Sequence, residues 1–173
     1  GPSLKFIHCR HGAGDRAMQA VQRHGGAAAR QPDLIRHLGD GPDPGVLAVA
    51  LGHEQHTFFV ADLFQNFVSQ YTPGVDTQVN QFGGRGTENG KFDGNEPTGN
   101  TFYGPNRIEV DAQGNVYASD TYASRLQKLG PNGAYQGQFD LGTSKLFNGL
   151  TIDPATGILY GARGATIDVI CPF

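Results

Sequence analysis

The stretch DAQGNVYASDTYASRLQKLGPNGAYQGQF, residues 111–139, changes character every few residues. A turn-forming Asp-Ala-Gln-Gly-Asn segment precedes a short apolar run that ends at Asp120, and an alternating run, 125–129, precedes the turn Pro-Asn-Gly. Glycine and asparagine readily adopt the positive φ angles that tight hairpins require. Alternation places successive side chains on opposite faces of a strand. The stretch therefore predicts antiparallel strands that are joined by short turns.

The same pattern recurs along the chain. The segment 117–120 has a similar copy at 59–62 and a weaker copy at 159–162. A short apolar strand precedes each copy, and these candidate innermost strands lie near 46–51, 107–110 and 147–152. A repeat of roughly 40–45 residues that contains four short strands is typical of one β-propeller blade. We therefore predict an all-β fold, a partial β-propeller of about three four-stranded blades.

These repeats resemble the NHL repeat family over about residues 46–173. The resemblance is carried by FGGRGTENGKF and by GPNRIEVDAQGNVYASDTYASRLQKLGPNG, with spaced glycines, an Asp-x-x-Gly-Asn-x-Tyr run, Asp-Thr and a following Arg. The first blade has Phe67 where the family has that Arg, and the third has Arg163 where the family has Asp. The resemblance implies a ring of about six blades, of which this chain would supply half.

The composition changes near residue 44. Residues 1–43 contain four of the six His and six of the thirteen Lys and Arg, but a single aromatic residue, Phe6. The other sixteen aromatic residues lie in 44–173. We therefore predict an N-terminal extension, residues 1–43, that is irregular or forms short helices, followed by the propeller segment, residues 44–173.

Charge and hydropathy exclude several partners. The net charge is -3, and residues 44–173 carry seven basic against twelve acidic side chains, so we expect no nucleic-acid partner. No apolar run approaches the roughly 20 residues of a membrane helix, so no membrane span is predicted. A disulfide between Cys9 and Cys171 would either tie the extension to the last blade or link two chains in an oxidising compartment. The family resemblance favours an extracellular or periplasmic location.

Residues suited to catalysis are sparse. His8, Cys9 and His11 lie close together, as do His53 and His56, but neither group has a third ligand at the spacing of a metal site. No nucleophile elbow, phosphate loop or dinucleotide fingerprint occurs. The run LKFIHCRHG resembles the opening of histidine phosphatases, but strands follow it instead of the α/β domain that those enzymes need. We therefore assign no catalytic residue, no metal ligand and no cofactor.

The family resemblance guides the functional prediction. NHL proteins include binding scaffolds, RNA-binding propellers and a peptide-amidating lyase, and the axial histidines of the lyase are replaced here by Asn106 and Asn148. We predict a non-catalytic binding or assembly module that completes its ring with another chain or with further blades. A protein partner or a second copy is the expected ligand. The alternative is a fragment or relative of an NHL-propeller enzyme, such as a peptide-amidating lyase or a metal-dependent hydrolase.

One loop and the starts of the innermost strands are the candidate binding region. Residues 93–103 form an insertion before the second innermost strand, where propeller loops often bind ligands. Aromatic and Arg side chains dominate interface energies. The candidate binding residues are Tyr103, Arg107, Tyr122 and Arg163. In the alternative reading, Arg107 and Arg163 brace neighbouring blades. We also predict that Asp62 and Asp120 cap the turns that follow them.

Overall fold

The computed structural model describes residues 3–6, 46–51, 57–72, 78–92, 104–142 and 147–173, and the structural statements below concern these residues. Their regular structure consists of β-strands. The strands are β1 (Ser3–Phe6), β2 (Val46–Leu51), β3 (Phe58–Asp62), β4 (Phe67–Tyr71), β5 (Gln78–Gly83), β6 (Pro105–Val110), β7 (Val116–Asp120), β8 (Arg125–Leu129), β9 (Tyr135–Asp140), β10 (Gly149–Ile152), β11 (Leu159–Arg163) and β12 (Thr166–Ile170).

The strands form three four-stranded sheets. Blade 1 has the order β2-β3-β4-β5 and blade 2 the order β6-β7-β8-β9, and both are antiparallel meanders. Blade 3 has the order β10-β11-β12-β1, in which β1 pairs with β12 in parallel. The predicted fold, a partial propeller of three four-stranded blades, is confirmed.

The three blades stack in chain order, with their first strands side by side. Strand β6 packs against β2 on one side and against β10 on the other. The innermost strands are therefore Val46–Leu51, Pro105–Val110 and Gly149–Ile152, as the repeat pattern predicted to within two residues.

Two apolar cores fill the spaces between blades. The first joins blades 1 and 2, and the second joins blades 2 and 3. Alternate residues of β7 serve different cores: Val116 and Ala118 pack toward blade 1, whereas Tyr117 packs toward blade 3. Because each face of a blade is apolar, a blade is fully covered only when it has a neighbour on both sides.

Strand β1 differs from the expectation for the N-terminal extension. Residues 1–43 were expected to be irregular or helical, yet Ser3–Phe6 forms a strand whose register runs from Ser3 opposite Thr166 to Phe6 opposite Val169. It completes blade 3 by pairing with the free edge of β12. The short helices expected elsewhere in the extension lie outside the described residues.

A disulfide adjoins this pairing. Cys171 follows β12 directly and is disulfide-bonded. The only other cysteine of the chain is Cys9, three residues after the end of β1. Because Cys9 lies outside the described residues, both arrangements considered from the sequence stay predictions.

Candidate functional site

The propeller segment has two faces that carry different loops. One, here called the connection face, contains the β3–β4, β7–β8 and β11–β12 turns together with the segments that lead from one blade to the next, including 84–92. The other, here called the hairpin face, contains the β6–β7, β8–β9 and β10–β11 turns. Of the four candidate binding residues, Arg107, Tyr122 and Arg163 lie at the connection face.

A buried ion pair lies near the connection face of blade 2. Asp120 ends β7, Arg125 begins β8, and the two residues are opposite each other in the ladder. The Nε atom of Arg125 lies 2.9 Å from Oδ2 of Asp120, and the exposed fractions of the two side chains are 9% and 0%. Such a pair is stable only if its remaining donors and acceptors are also satisfied.

The Nη2 group of Arg125 binds the segment that leaves blade 1, whereas Nη1 donates to Oε1 of Gln138 in blade 2 at 3.2 Å. Nη2 of Arg125 donates to the carbonyls of Glu88 and Lys91, at 3.1 and 2.9 Å. Gln127 donates to the same Lys91 carbonyl at 2.7 Å and accepts the N–H of Gly90 at 2.9 Å. Asp120, Arg125 and Gln127, here called the blade 2 clamp, therefore hold blade 2 against the segment that connects it to blade 1.

Blade 3 has an ion pair in which Arg stands where blade 2 has Asp. Arg163 ends β11 at the position of Asp120, and its partner is the buried Asp168, which lies at the position of Gln127. Its Nη1 donates to the carbonyl of Leu141, at 3.2 Å, in the segment that leaves blade 2. Its guanidinium lies 5.9 Å from the ring centre of Phe147. Arg163 therefore attaches blade 3 to the segment that leaves blade 2, as Arg125 attaches blade 2 to the segment that leaves blade 1. In both blades, a charged pair near the end of the second strand joins the blade to the one before it.

The two aspartates that were predicted to cap turns differ in their contacts. Asp62 accepts the N–H groups of Phe64 and Gln65 at 3.0 and 2.9 Å, as predicted. Asp120 binds Arg125, a contact that the turn prediction did not include. Blade 1 has Phe67 at the position of Arg125, so the same ion pair cannot form there.

The structure places three of the four candidate binding residues. Arg107, which is partly buried, donates from Nε and Nη2 to the carbonyl of Asn148, at 3.1 and 3.0 Å, and so joins blade 2 to the start of blade 3. Arg163 has the contacts given above, and Tyr122 lies partly buried in the β7–β8 turn. Tyr103 and the rest of the 93–103 insertion lie outside the described residues. The arginines thus make the contacts that the bracing alternative requires, and the binding role of all four residues stays a prediction.

Polar side chains stand at the starts of the innermost strands of blades 2 and 3, and they form hydrogen bonds with neighbouring residues. Ser119 donates to the side-chain oxygen of Asn106, which is buried, and accepts the N–H of Arg107 at 2.9 Å. Asn148 accepts the N–H of Gly164 at 3.1 Å. Within the described ranges, no group of three or more His, Cys, Asp or Glu side chains is arranged to hold a metal ion.

Glu109 is a partly buried carboxyl group of blade 2. It lies in β6 opposite Tyr117, on the side of blade 2 that faces blade 3. Desolvation by burial raises its pKa from 4.5 to about 7. Strand β10, which packs against β6, has the sequence Gly-Leu-Thr-Ile and contributes no ionisable side chain there.

This raised pKa predicts a pH-dependent stability. Between pH 4.5 and about 7 the unfolded chain loses the proton of Glu109 while the folded chain retains it. The contribution of this group to stability is therefore fully present below pH 4.5 and is lost as the pH rises through about 7. We expect Glu109→Gln to raise the melting temperature at pH 8 relative to the wild type and to have little effect at pH 4.5. Melting curves across this range test the expectation, and an equal effect at both pH values would contradict it.

The part of the chain that the structure describes contains no helix long and apolar enough to cross a membrane.

No family model and no curated protein matches the chain. Its fold is similar to that of hydrazine synthase of Kuenenia stuttgartiensis, with a TM-score of 0.52 and 13% sequence identity. The match covers 70% of this chain and 30% of that chain. It is also similar to the WD40 repeats of RRP9, with a TM-score of 0.52 and 8% identity over 70% of this chain and 33% of that one.

These likenesses show the fold alone, because the identities are low. WD40 repeats form β-propellers, and the similarity agrees with the three stacked sheets. The chain spans about a third of the length of the solved structures that it matches. The fold is therefore a β-propeller fold, of which the described residues form three blades.

Proposed function

We propose that the chain is a non-catalytic binding and assembly module of the NHL type, which completes its ring with the blades of a second copy. One repeat position carries this proposal. Phe59, Tyr117 and Tyr160 are the second residue of the second strand in blades 1, 2 and 3. The first two are each 1% exposed because the next blade covers them, whereas Tyr160 is 37% exposed. The aromatic position that stacking buries twice in this chain is thus open in blade 3.

The NHL assignment is supported by the blade 2 clamp. The Asp and Arg of the family pattern correspond to Asp120 and Arg125, which form the buried ion pair. The Gly-Asn of the same pattern, residues 114–115, lies in the β6–β7 turn, where Gly114 has a φ of 81°. The residues that carry the resemblance therefore have structural roles that would recur in each blade of a repeat protein.

A protein partner is proposed for the connection face. Arg107, Tyr122 and Arg163 lie on it, and so does Phe64, which is 42% exposed in the β3–β4 turn. Tyr103, which lies outside the described residues, completes the proposed set. Aromatic and Arg side chains on one loop-bearing face are typical of protein interfaces. A nucleic-acid partner is not proposed, because acidic residues outnumber basic ones in this segment. The disulfide of Cys171 supports an extracellular or periplasmic location.

Assembly through blade 3 is tested by placing a charge on its open face. We expect the wild-type chain to elute at twice its mass of 18.4 kDa in size exclusion with light scattering, and Tyr160→Lys to elute as a monomer. A buried unpaired charge opposes association at an apolar interface. Phe64→Lys is the matched control, because Phe64 is similarly exposed but lies on the connection face. A wild-type monomer at high concentration would refute self-assembly.

A further inference from the structure

The strand that completes blade 3 departs from the connectivity of the other two blades. In blades 1 and 2 the outermost strand is followed in the chain by the innermost strand of the next blade: β6 follows β5, and β10 follows β9. The strand that follows β1 in the chain is β2, the innermost strand of blade 1. By the same rule, the sheet that contains β1 is the blade directly before blade 1.

Blade 3 does not have that position within a single chain. The three blades stack in chain order, so blade 2 lies between blade 3 and blade 1. In a ring of two copies, blades 1, 2 and 3 of one copy are followed by blades 1, 2 and 3 of the other. The blade directly before blade 1 is then blade 3 of the second copy. The connectivity of β1 therefore fits the ring of two copies better than it fits the isolated chain.

The segment between β1 and β2 is long enough for either arrangement. It comprises residues 7–45, whereas residues 84–104 join β5 to β6 and residues 141–148 join β9 to β10. Because β1 runs parallel to β12, it ends at the hairpin face, and β2 begins at the connection face. An extended chain spans roughly 3.3–3.6 Å per residue, so the return from one face to the other uses a small part of this length.

The pairing of β1 with β12 can be made equally well by a second copy. The ladder runs from Ser3 opposite Thr166 to Phe6 opposite Val169, and an identical strand from another chain forms the same ladder. With four residues, β1 is also shorter than the outermost strands β5 and β9, which have six residues each. Exchange of an identical element between protomers is a low-cost route to a dimer, because each contact is replaced by an equal one.

We propose that two copies exchange β1 when the ring forms, so that Ser3–Phe6 of each copy pairs with the outer edge of β12 of the other. This proposal rests on the ring of two copies proposed as the function of the chain, and it specifies the segment that links the copies. In the ring, the disulfide of Cys171 then joins it to Cys9 of the other copy. In a chain that is not part of a ring, β1 pairs with its own β12, and the two cysteines are joined within the chain.

Isotope mixing distinguishes the two disulfide arrangements. Equal amounts of isotope-labelled and unlabelled full-length chain are reduced, refolded together and oxidised, and the disulfide-linked peptides are analysed by mass spectrometry. Exchange predicts linked peptides of Cys9 and Cys171 with one labelled and one unlabelled half. A non-reducing denaturing gel should then show a band at twice 18.4 kDa.

The possible failures of the two proposals differ in this experiment. A protein that is dimeric by light scattering, but whose linked peptides always carry the same label in both halves, would overturn the exchange and leave the ring of two copies intact. A wild-type chain that is monomeric by light scattering would overturn both. Tyr160→Lys, which is expected to be a monomer, should give same-label peptides only.

Proline variants separate strand exchange from disulfide formation as such. Alternate residues of a parallel strand donate to a given neighbour, so Leu4→Pro combined with Lys5→Pro removes a ladder N–H whichever of the two donates. This variant should lose the mixed peptides. Leu4→Val combined with Lys5→Val is the matched control, because it keeps both N–H groups, and it should retain them. Mixed peptides at the wild-type level in the proline variant would overturn the proposal, since the bond would then form without the strand.

Discussion

Replacing Arg125 with methionine is expected to lower the free energy of unfolding by about 3–5 kcal/mol, because it leaves a buried carboxylate without its cation. Methionine fills much of the space but donates no hydrogen bond, so Asp120 loses its ion pair and the carbonyls of Glu88 and Lys91 lose the contacts of Nη2. Urea denaturation at pH 7 measures the change. Tyrosine fluorescence or circular dichroism is the suitable signal, since the chain has no tryptophan.

Two further variants show whether the loss arises from the clamp. Asp120→Asn combined with Arg125→Met should be more stable than Arg125→Met alone, because it removes the uncompensated buried charge together with its partner. Arg107→Met is the matched control: this arginine also contacts a carbonyl of an adjacent blade but is paired with no carboxylate of the described residues, so a loss of about 1 kcal/mol is expected. Equal losses for Arg107→Met and Arg125→Met would show that the ion pair adds no special stability.

The hairpins of the fold could be predicted because their determinants are local. In the turn that joins β6 to β7, Asp111 accepts the N–H groups of Gln113 and Asn115, and Gly114 adopts a φ of 81°. In the next hairpin Gly133 has a φ of 83°, and its α-carbon lies so close to Phe82 of blade 1 that a β-carbon would come within 2.4 Å. Residue types at fixed offsets therefore determine the turns. The alternation of apolar and polar residues in the segments between the turns determines the strands.

The contacts between distant segments could not be predicted in the same way. Strand β1 pairs with β12 from the opposite end of the chain, and the four-residue sequence Ser-Leu-Lys-Phe contains no information about its partner. The acceptors of Nη2 of Arg125 are main-chain carbonyls, which every residue has, so no residue type marks them. One signal was present: Phe67 stands in blade 1 at the position of Arg125, so the ion pair of blade 2 cannot form there.

The surroundings of the β8 side chains also depend on packing between blades. The alternating run 125–129 shows that Lys128 and Arg125 are on opposite faces of β8, but it does not show which residues each of them contacts. Arg125 contacts the segment that leaves blade 1, whereas Lys128 lies over the ring of Tyr117, between blades 2 and 3. The same strand therefore contributes to both spaces between blades.

Removing the disulfide of Cys171 is expected to have the other large effect on stability. Loss of a native disulfide typically costs about 2–5 kcal/mol, and the entropic gain is greatest when the bond closes a long loop. Because the only two cysteines are residues 9 and 171, this bond would close a loop of nearly the whole chain. It would also hold β1 beside β12, whose outer edge is otherwise open to pairing with another chain. Cys171→Ser should therefore lower the melting temperature by roughly 5–20 °C.

Cysteine variants and a reductant together distinguish loss of the disulfide from loss of packing at residue 171. Cys9→Ser, Cys171→Ser and the wild type in reductant should all melt at the same lower temperature, and the double variant should lose nothing further, because all four lack the same bond. Hydrogen exchange should show loss of protection at β1 and at the outer edge of β12, with blades 1 and 2 unchanged, since β1 belongs to blade 3 alone. A melting temperature that reductant does not alter would show that the parallel pairing of Ser3–Phe6 with β12 holds the chain ends together without the disulfide.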